Sequence, residues 1–377
     1  MKKLISYLLV VFITLPLFAQ RGNINIPDLK GYVTLKCDFH IHTIFSDGTV
    51  WPTVRVDEAY LEGLDAISLT DHIYPASRRR VYMDTLQRLS NLPMMEGLSH
   101  NIAYDIALSR AKTRGIILIR GSEITHSMPP GHHNAIFLTN SDDLNKPDWK
   151  DAFRAAKAQD AFFFWCHPGR PADQPDTTLW WSDHTWLLQE GMMHGIEVVN
   201  GGSQGYSVEA HQWALEKGLT MIGNSDIHTP MPPLTPRQHR VMTLVFAKER
   251  TAESIREALN ERRTAIYWNE YIIGEEKYLK ELFENAVEIT VTKNADNTAQ
   301  ITFNNKSDLV FHLKKASHDP RLTYMRNITV EPYTISPHSL QTITVRLNDG
   351  ITGGDVNIIV ENFLTEPQKG MKYSIKL

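Results

Sequence analysis

Residues 35–43 read Leu35-Lys36-Cys37-Asp38-Phe39-His40-Ile41-His42-Thr43. An apolar alternation here runs out into a polar end, the pattern of a strand whose C-terminus reaches a site. His40 and His42 are two residues apart, so both side chains fall on one face of that strand. Two imidazoles on one face can share a metal ion. Alone, a His-x-His pair is weak evidence. Its weight depends on whether other strand ends repeat the chemistry.

Outward from this stretch, short apolar runs alternate with helical ones. The pattern predicts strands at 35–41, 66–70, 116–123, 135–138, 162–166, 195–200, 220–223 and 242–246, and helices at 54–62, 99–114, 149–159, 207–216 and 252–261. Such alternation argues for a parallel sheet, and seven or eight units argue for closure into an α/β barrel. In barrels the active site lies at the C-terminal ends of the strands. Six of these ends carry imidazole or carboxylate: His40 and His42, Asp71-His72, Glu123, the His132-His133 pair before 135, His167, and Asp226 with His228. Asp47 follows the first of them in Ser46-Asp47-Gly48, where Asp and Gly alone would suit a turn. A carboxylate at a buried strand end, as at Glu123, is costly unless paired or metal-bound. Nitrogen and oxygen donors without thiolate suit catalytic zinc, manganese or iron rather than a structural zinc site. The donors outnumber the needs of one ion, so two or three divalent ions are expected, with Glu123 as a bridge.

The histidines are unevenly spread. Of sixteen, thirteen precede residue 240 and three follow residue 300. After Trp268 the texture changes: 270–285 is charged and reads as a helical linker, and 286–377 alternates in short runs punctuated by Asn, Asp and Gly, the pattern of a small β-sandwich. Residues 21–269 would then form the barrel. Residues 1–20, with Lys2, Lys3, an apolar run and Ala19, read as a cleaved signal peptide. The run is short for a membrane span, although an uncleaved anchor is the alternative. The mature chain is thus expected in the periplasm or secreted, with no membrane span. The formal net charge of -4 gives no basic face for a nucleic-acid duplex. Cys37 and Cys166 are the two cysteines, and both read as buried thiols in strands.

Taken in order, Asp38-Phe39-His40-Ile41-His42-Thr43, Ser46-Asp47-Gly48, Leu69-Thr70-Asp71-His72, Gly121-Ser122-Glu123, Gly131-His132, His167-Pro168 and Ser225-Asp226-Ile227-His228 resemble the motifs of the PHP family, named for polymerase and histidinol phosphatase. The resemblance spans about residues 37–228. It implies a distorted (β/α)7 barrel, a di- or trinuclear metal site and hydrolysis of phosphomonoesters or phosphodiesters. It also implies an allocation: His40, His42, Glu123 and Asp226 for a first ion, Glu123, His132 and His167 for a second, and Asp47, His72 and His228 for a third. Aspartate at the position of Asp47 is what phosphodiesterase-like relatives often carry. The C-terminal β region is similar to the Ig-like tail of some exported members.

The expected chemistry is in-line attack on phosphorus by a hydroxide held between two ions. Arg170 is placed to grip a nonbridging oxygen, Arg78-Arg79-Arg80 is a further candidate contact, and His228 or Asp71 is a candidate proton donor. Trp180, Trp181 and Trp186 either wall the substrate or pack the loop on the barrel. His126, three residues after Glu123, is not assigned to the site. Two other classes stay open: an amide or carboxylate-ester hydrolase on the same barrel, and a binding module built on a relic site. Oligomeric state is not legible.

Overall fold

The computed structural model describes residues 20–73, 99–232, 239–316, 322–326, 333–347 and 354–377. The leader up to Ala19 and the Arg78-Arg79-Arg80 run lie outside the described residues. The first part of the chain contains β1 (Val33–Ile41), α1 (Pro52–Leu61), β2 (Ala66–Leu69), β3 (His72–Ile73), α2 (Ile102–Arg114), β4 (Ile117–Ile124), β5 (His133–Ile136), α3 (Trp149–Lys157) and β6 (Phe162–Trp165). It continues with α4 (Ser182–Gln189), β7 (Gly195–Asn200), β8 (Gly205–Tyr206), α5 (Val208–Lys217), β9 (Thr220–Asn224), β10 (Met242–Ala247), α6 (Ala252–Asn260), β11 (Thr264–Trp268) and β12 (Tyr271–Gly274). Local chemistry sets the helix ends. The side chains of Asp148, Ser207 and Thr251 accept from backbone amides at the starts of α3, α5 and α6, relieving donors that no helical carbonyl can reach. Gly115 and Gly218 end α2 and α5 in the left-handed conformation, which costs glycine little. The anticipated strands and helices all form within a few residues of their expected bounds. The short strands β3 and β8, the helix α4 and the hairpin β11–β12 are not among the expected elements.

Strands β1, β2 and β4 are parallel, β5 is antiparallel to both β4 and β6, and β6, β7 and β9 are parallel again. The ring closes between β9 and β1 by one parallel bridge, Ile41 to Ile227. Beside it the Asp226 amide donates to the His40 carbonyl and the His42 amide to the Ile227 carbonyl. This is the distorted seven-stranded α/β barrel expected. The antiparallel β5 explains one oddity of the sequence: its metal-type histidine precedes the strand, because the N-terminal end of a reversed strand lies at the same mouth as the C-terminal ends of its neighbours. Phe39, Phe162, Phe164, Ile222 and Val245 belong to one fully buried apolar cluster. The β1 register shifts between Asp38 and Ile41. Such an irregularity can re-aim side chains, and here the inward face passes from Phe39 to His40 and His42.

The sparse ladder at the closing seam is reinforced by buried charge. Asp38 Oδ1 accepts from the Ser225 amide, and Oδ2 accepts from the Ser225 hydroxyl and, at 2.9 Å, from Arg240 Nη1. Arg240 also meets both oxygens of Glu62, at 2.7 and 2.6 Å. Arg55, fully buried, donates to the carbonyls of His42, Ile227 and Thr229. It thereby fastens the first histidine strand to the Asp226–His228 loop.

Beyond β12 lie α7 (Glu276–Ala286), β13 (Val287–Lys293), β14 (Thr298–Asn305), β15 (Phe311–Lys315), β16 (Leu322–Arg326), β17 (Tyr333–Ile335), β18 (Leu340–Leu347), β19 (Asp355–Glu366) and β20 (Lys369–Lys376). One sheet has the order β13-β14-β18-β16, and β17, β15, β19 and β20 form the facing one. The second sheet is not separate from the barrel wall. β10 pairs with β1, β11 with β10, β12 with β11, and β19 lies parallel to β12. Residues 270–285, read from sequence as a linker, contain β12 and most of α7. That helix buries Leu279, Leu282, Phe283 and Ala286, and Phe283 packs on Phe311, Phe363 and Tyr373.

Replacing Arg240 by Met would strand two carboxylates in the core. We expect urea unfolding at neutral pH to show a loss of about 3 kcal/mol or more. A loss below about 1 kcal/mol, the size of an ordinary substitution, would show that the ion cluster does not hold the seam.

Candidate metal centre

Glu123, the penultimate residue of β4, lies at the floor of the barrel mouth with no exposed surface. Its Oε2 lies 3.4 Å from His40 Nε2, 3.3 Å from His42 Nε2 and 2.9 Å from His72 Nδ1. Its Oε1 lies 2.8 Å from His132 Nδ1 and 3.5 Å from His167 Nε2. Asp226 Oδ1 completes the inner group, 3.3 Å from His40 Nε2 and 3.2 Å from His42 Nε2, and these two nitrogens are 3.1 Å apart. Asp47 sits beside it: Oδ2 is 3.3 Å from His72 Nε2, and Oδ1 is 3.2 Å from His228 Nε2 and 3.5 Å from His42 Nδ1. All nine sequence-derived ligand candidates therefore meet at one mouth.

Sequence explains each placement. β3 continues the line of β2 and sets His72 opposite Glu123 in a parallel pair. In extended β5 successive residues face opposite ways, so His132 turns inward to Glu123. His133 turns outward, buried against Phe153 and Trp165. His167 and Asp226 have φ of 32° and 51°, left-handed values that non-glycine residues hold only when their surroundings impose them. Gly48 makes room for the Asp47 loop: a Cβ there would come within 2.8 Å of the His42 carbonyl.

Sequence reasoning missed Glu197. It lies mid-strand in β7, fully buried, with Oε1 2.8 Å from His40 Nδ1 and accepting from Asn224 Nδ2. Its Oε2 accepts from the His167 amide and Asn200 Nδ2. Glu197 thereby turns His40 Nε2 toward Glu123, as outer carboxylates orient metal-bound imidazoles. The signal was available: a lone carboxylate inside the run Gly195-Ile196-Glu197-Val198-Val199.

The electrostatics fit cations. Burial opposes ionisation of Glu123, yet the imidazoles of His72, His40 and His132 hold its carboxyl well below the usual range. Asp226 and Asp47 are likewise lowered against their burial by the histidines around them. Burial disfavours protonated His72, but Glu123 and Asp47 carry it up to about 10. This negative field can be met by protons or, in their place, by metal ions. Two observations favour metal. Glu123 Oε2 is buried and makes no hydrogen bond although three imidazole nitrogens face it. Donors about 2.1 Å from a tetrahedral ion would be about 3.4 Å apart, and the His40 and His42 nitrogens lie 3.1 to 3.4 Å from each other and from the Glu123 and Asp226 oxygens.

The centre opens into a cavity of about 1430 Å³. Arg170 lines it, about a third exposed, with Nη1 3.4 Å from Asp173 Oδ2. His126 is also on the wall, apart from the donor cluster, its Nδ1 on the Ser127 carbonyl. Asp71 is turned elsewhere: its carboxylate accepts from the Thr43 amide and hydroxyl and from the Ser46 hydroxyl, so it holds the Asp47 loop. Trp180 packs on Trp165, His184 and Trp213, and Trp181 Nε1 donates to Gln174. Neither lines the cavity. Cys37 and Cys166 are free and buried.

A distorted barrel with nitrogen and oxygen donors gathered at one mouth is the architecture of a metal-dependent hydrolase. A two-domain protein from Bacteroides vulgatus, described as containing a predicted PHP-like metal-dependent phosphoesterase, is 50% identical; the match covers 95% of this chain and 99% of that one, with a TM-score of 0.86. The chain belongs to this PHP-like metal-dependent phosphoesterase family. Residues 286–376 match a family model described as an Ig-like domain. More distant solved structures are a proposed metal-dependent phosphoesterase from Bifidobacterium adolescentis (17% identity, 59% of this chain and 95% of that one, TM-score 0.39) and a Chromobacterium violaceum amidohydrolase with bound sulfate and no metal (16%, 61% and 97%, TM-score 0.37). No curated protein matches the chain.

Glu197→Gln should weaken metal binding at least about tenfold, measured by competition with a chromophoric chelator. In the same assay His132→Ala should lose metal and His133→Phe should keep it. Equal losses from the two histidine variants would contradict the placement.

Proposed function

We propose that this protein is an exported phosphoesterase that hydrolyses a small phosphodiester or phosphomonoester with the help of two or three divalent ions, zinc, manganese or iron. The observation that carries this reading is the Glu123 carboxylate, buried yet shared by five imidazoles from four segments at the floor of an open cavity. His40, His42 and Asp226 would hold one ion with Glu123, His132 and His167 a second, and Asp47, His72 and His228 a third. Such ions neutralise phosphoryl oxygens and lower the pKa of water to near 7.

The chain itself supplies position and charge, on which phosphoryl transfer mainly relies. Glu197, Asn200 and Asn224 fix the inner donors. Asp71 holds the Thr43–Ser46 turn that carries Asp47. Arg170, on the cavity wall just after His167, offers a planar fork to a nonbridging oxygen. His228 is a third exposed at the cavity rim, where a proton can pass to the leaving oxygen. Export is supported by the Lys2-Lys3 and apolar pattern of residues 1–20. Among the described residues no helix is long and apolar enough to cross a membrane.

The test is a panel of nitrophenyl phosphate, bis(nitrophenyl) phosphate and nitrophenyl acetate with the manganese- and zinc-loaded protein. Phosphate-ester turnover that chelation removes and metal restores is expected, with Glu123→Ala inactive and metal-poor. Turnover of the acetate alone would replace this reading with the carboxylate-ester class, and fewer than about one bound ion per chain would favour a relic.

A further inference from the structure

Two segments that wall the outer cavity are tied to the Ig-like domain. The first is the β11–β12 turn, whose Trp268 and Asn269 line the cavity. Next in the chain, Glu270 places Oε2 3.0 Å from His312 Nε2 of β15, and its carbonyl accepts from Asn362 Nδ2 of β19. Asn362 is buried, and its Oδ1 accepts from the His312 amide at 2.9 Å. His312 Nδ1 lies 3.0 Å from Thr334 Oγ1 of β17, so the link reaches three strands of the Ig-like sheet. The second segment is the loop after β7, where Gly201, Gly202 and Ser203 line the cavity. It runs into Tyr206, whose hydroxyl accepts from the Gln368 amide of the β19–β20 turn at 3.2 Å. The Tyr206 ring stacks on Trp268 with centroids 6.4 Å apart, which joins the two segments. Under them β12 and β19 pair directly, Ile272 with Phe363 and Ile273 with Leu364.

We propose that the Ig-like domain is a positioning element for the outer wall of the cavity. Through Glu270 and Tyr206 it fixes the Trp268–Asn269 and Gly201–Ser203 segments, and with them the fit of the part of the substrate remote from phosphorus. His312, Asn362 and Gln368 act through the wall and touch no substrate. A domain evolved only to dock a separate partner would need no buried amide committed to an active-site hairpin. The effect on substrate fit rests on the phosphoesterase reading; the mechanical coupling does not.

The full, metal-loaded chain is compared with Glu270→Ala and Asn362→Ala by amide hydrogen exchange, bound metal and steady-state kinetics on nitrophenyl phosphate and bis(nitrophenyl) phosphate. Glu270→Ala, at a partly exposed position, keeps the test available if Asn362→Ala does not fold. Expected are faster exchange at 200–206 and 267–271, unchanged exchange in β1 and β2, and unchanged metal. KM for the diester should rise about tenfold with kcat within about twofold. A merely structural role would instead lower metal content and kcat together, and that result overturns the proposal. Unchanged exchange at both segments in a folded variant overturns it, as does a loosened wall with unchanged KM. If the parent protein turns over no phosphate ester, the phosphoesterase reading falls and the exchange data alone decide the coupling.

Discussion

A carboxylate with no access to water sits at the centre of this barrel, and the arrangement around it follows from that fact. Removing an ion from water costs several kcal/mol even after the protein relaxes. The whole stability of a domain is on the order of 5–15 kcal/mol. Glu123 therefore cannot remain buried and ionised unless positive charge or donors surround it. The barrel answers by bringing imidazoles from His40, His42, His72, His132 and His167 within 3.5 Å of its two oxygens. Holding the centre together and holding the barrel mouth together are one physical problem.

The same demand accounts for the irregular backbone. A regular strand would point alternate residues inward and could not offer both Phe39 to the core and His40 to the metal end. The shifted register of β1 permits both. Left-handed His167 and Asp226 reverse direction just past their strands and return their side chains to the mouth. Each departure weakens the ladder, most of all between β9 and β1, where one bridge remains. Asp38, Ser225, Arg240 and Arg55 take over there with side-chain bonds that are buried and mutually satisfied. Such a network is strong when complete and costly when any member is lost, so the seam and the donors it carries are held in one geometry.

What could be read from sequence was what is local in sequence. The donor residues fall at the ends of apolar runs, so strand-end chemistry exposed His40, His42, Glu123, His167 and Asp226 together. The family resemblance favours His132 over His133, but the residues alone do not separate them, because the apolar run after them reads as starting at residue 135; β5 starts at His133, and strand parity then decides which ring faces Glu123. Glu197 was overlooked for the opposite reason. It lies in the middle of a strand, and its role exists only because β7 passes behind His40, a long-range fact. Hairpin β11–β12 carries its turn on Asn269 with positive φ, a weaker cue than Asn-Gly. The segment around α4 hid its helix behind a Pro- and Asp-rich approach, its start secured by His184 Nδ1 accepting from the Trp181 amide.

The division into a catalytic barrel and a β-sandwich tail, natural from composition, understates how the two are built. A linker that behaved as a tether would leave each core closed on itself. Here one apolar cluster runs from Ile41 and Leu244 of the barrel through Leu279 and Phe283 of α7 to Phe311, Val360 and Ile375 of the sandwich. The barrel sheet supplies its edge strand β12 to β19, so a strand edge that would otherwise invite foreign pairing is covered by the chain's own second domain. Covering that edge also fixes the turn that precedes it, and the turn carries Trp268 and Asn269 to the cavity. Edge protection, core continuity and the shape of the cavity wall are therefore set by the same few contacts, and a change that frees the sandwich must also disturb the mouth.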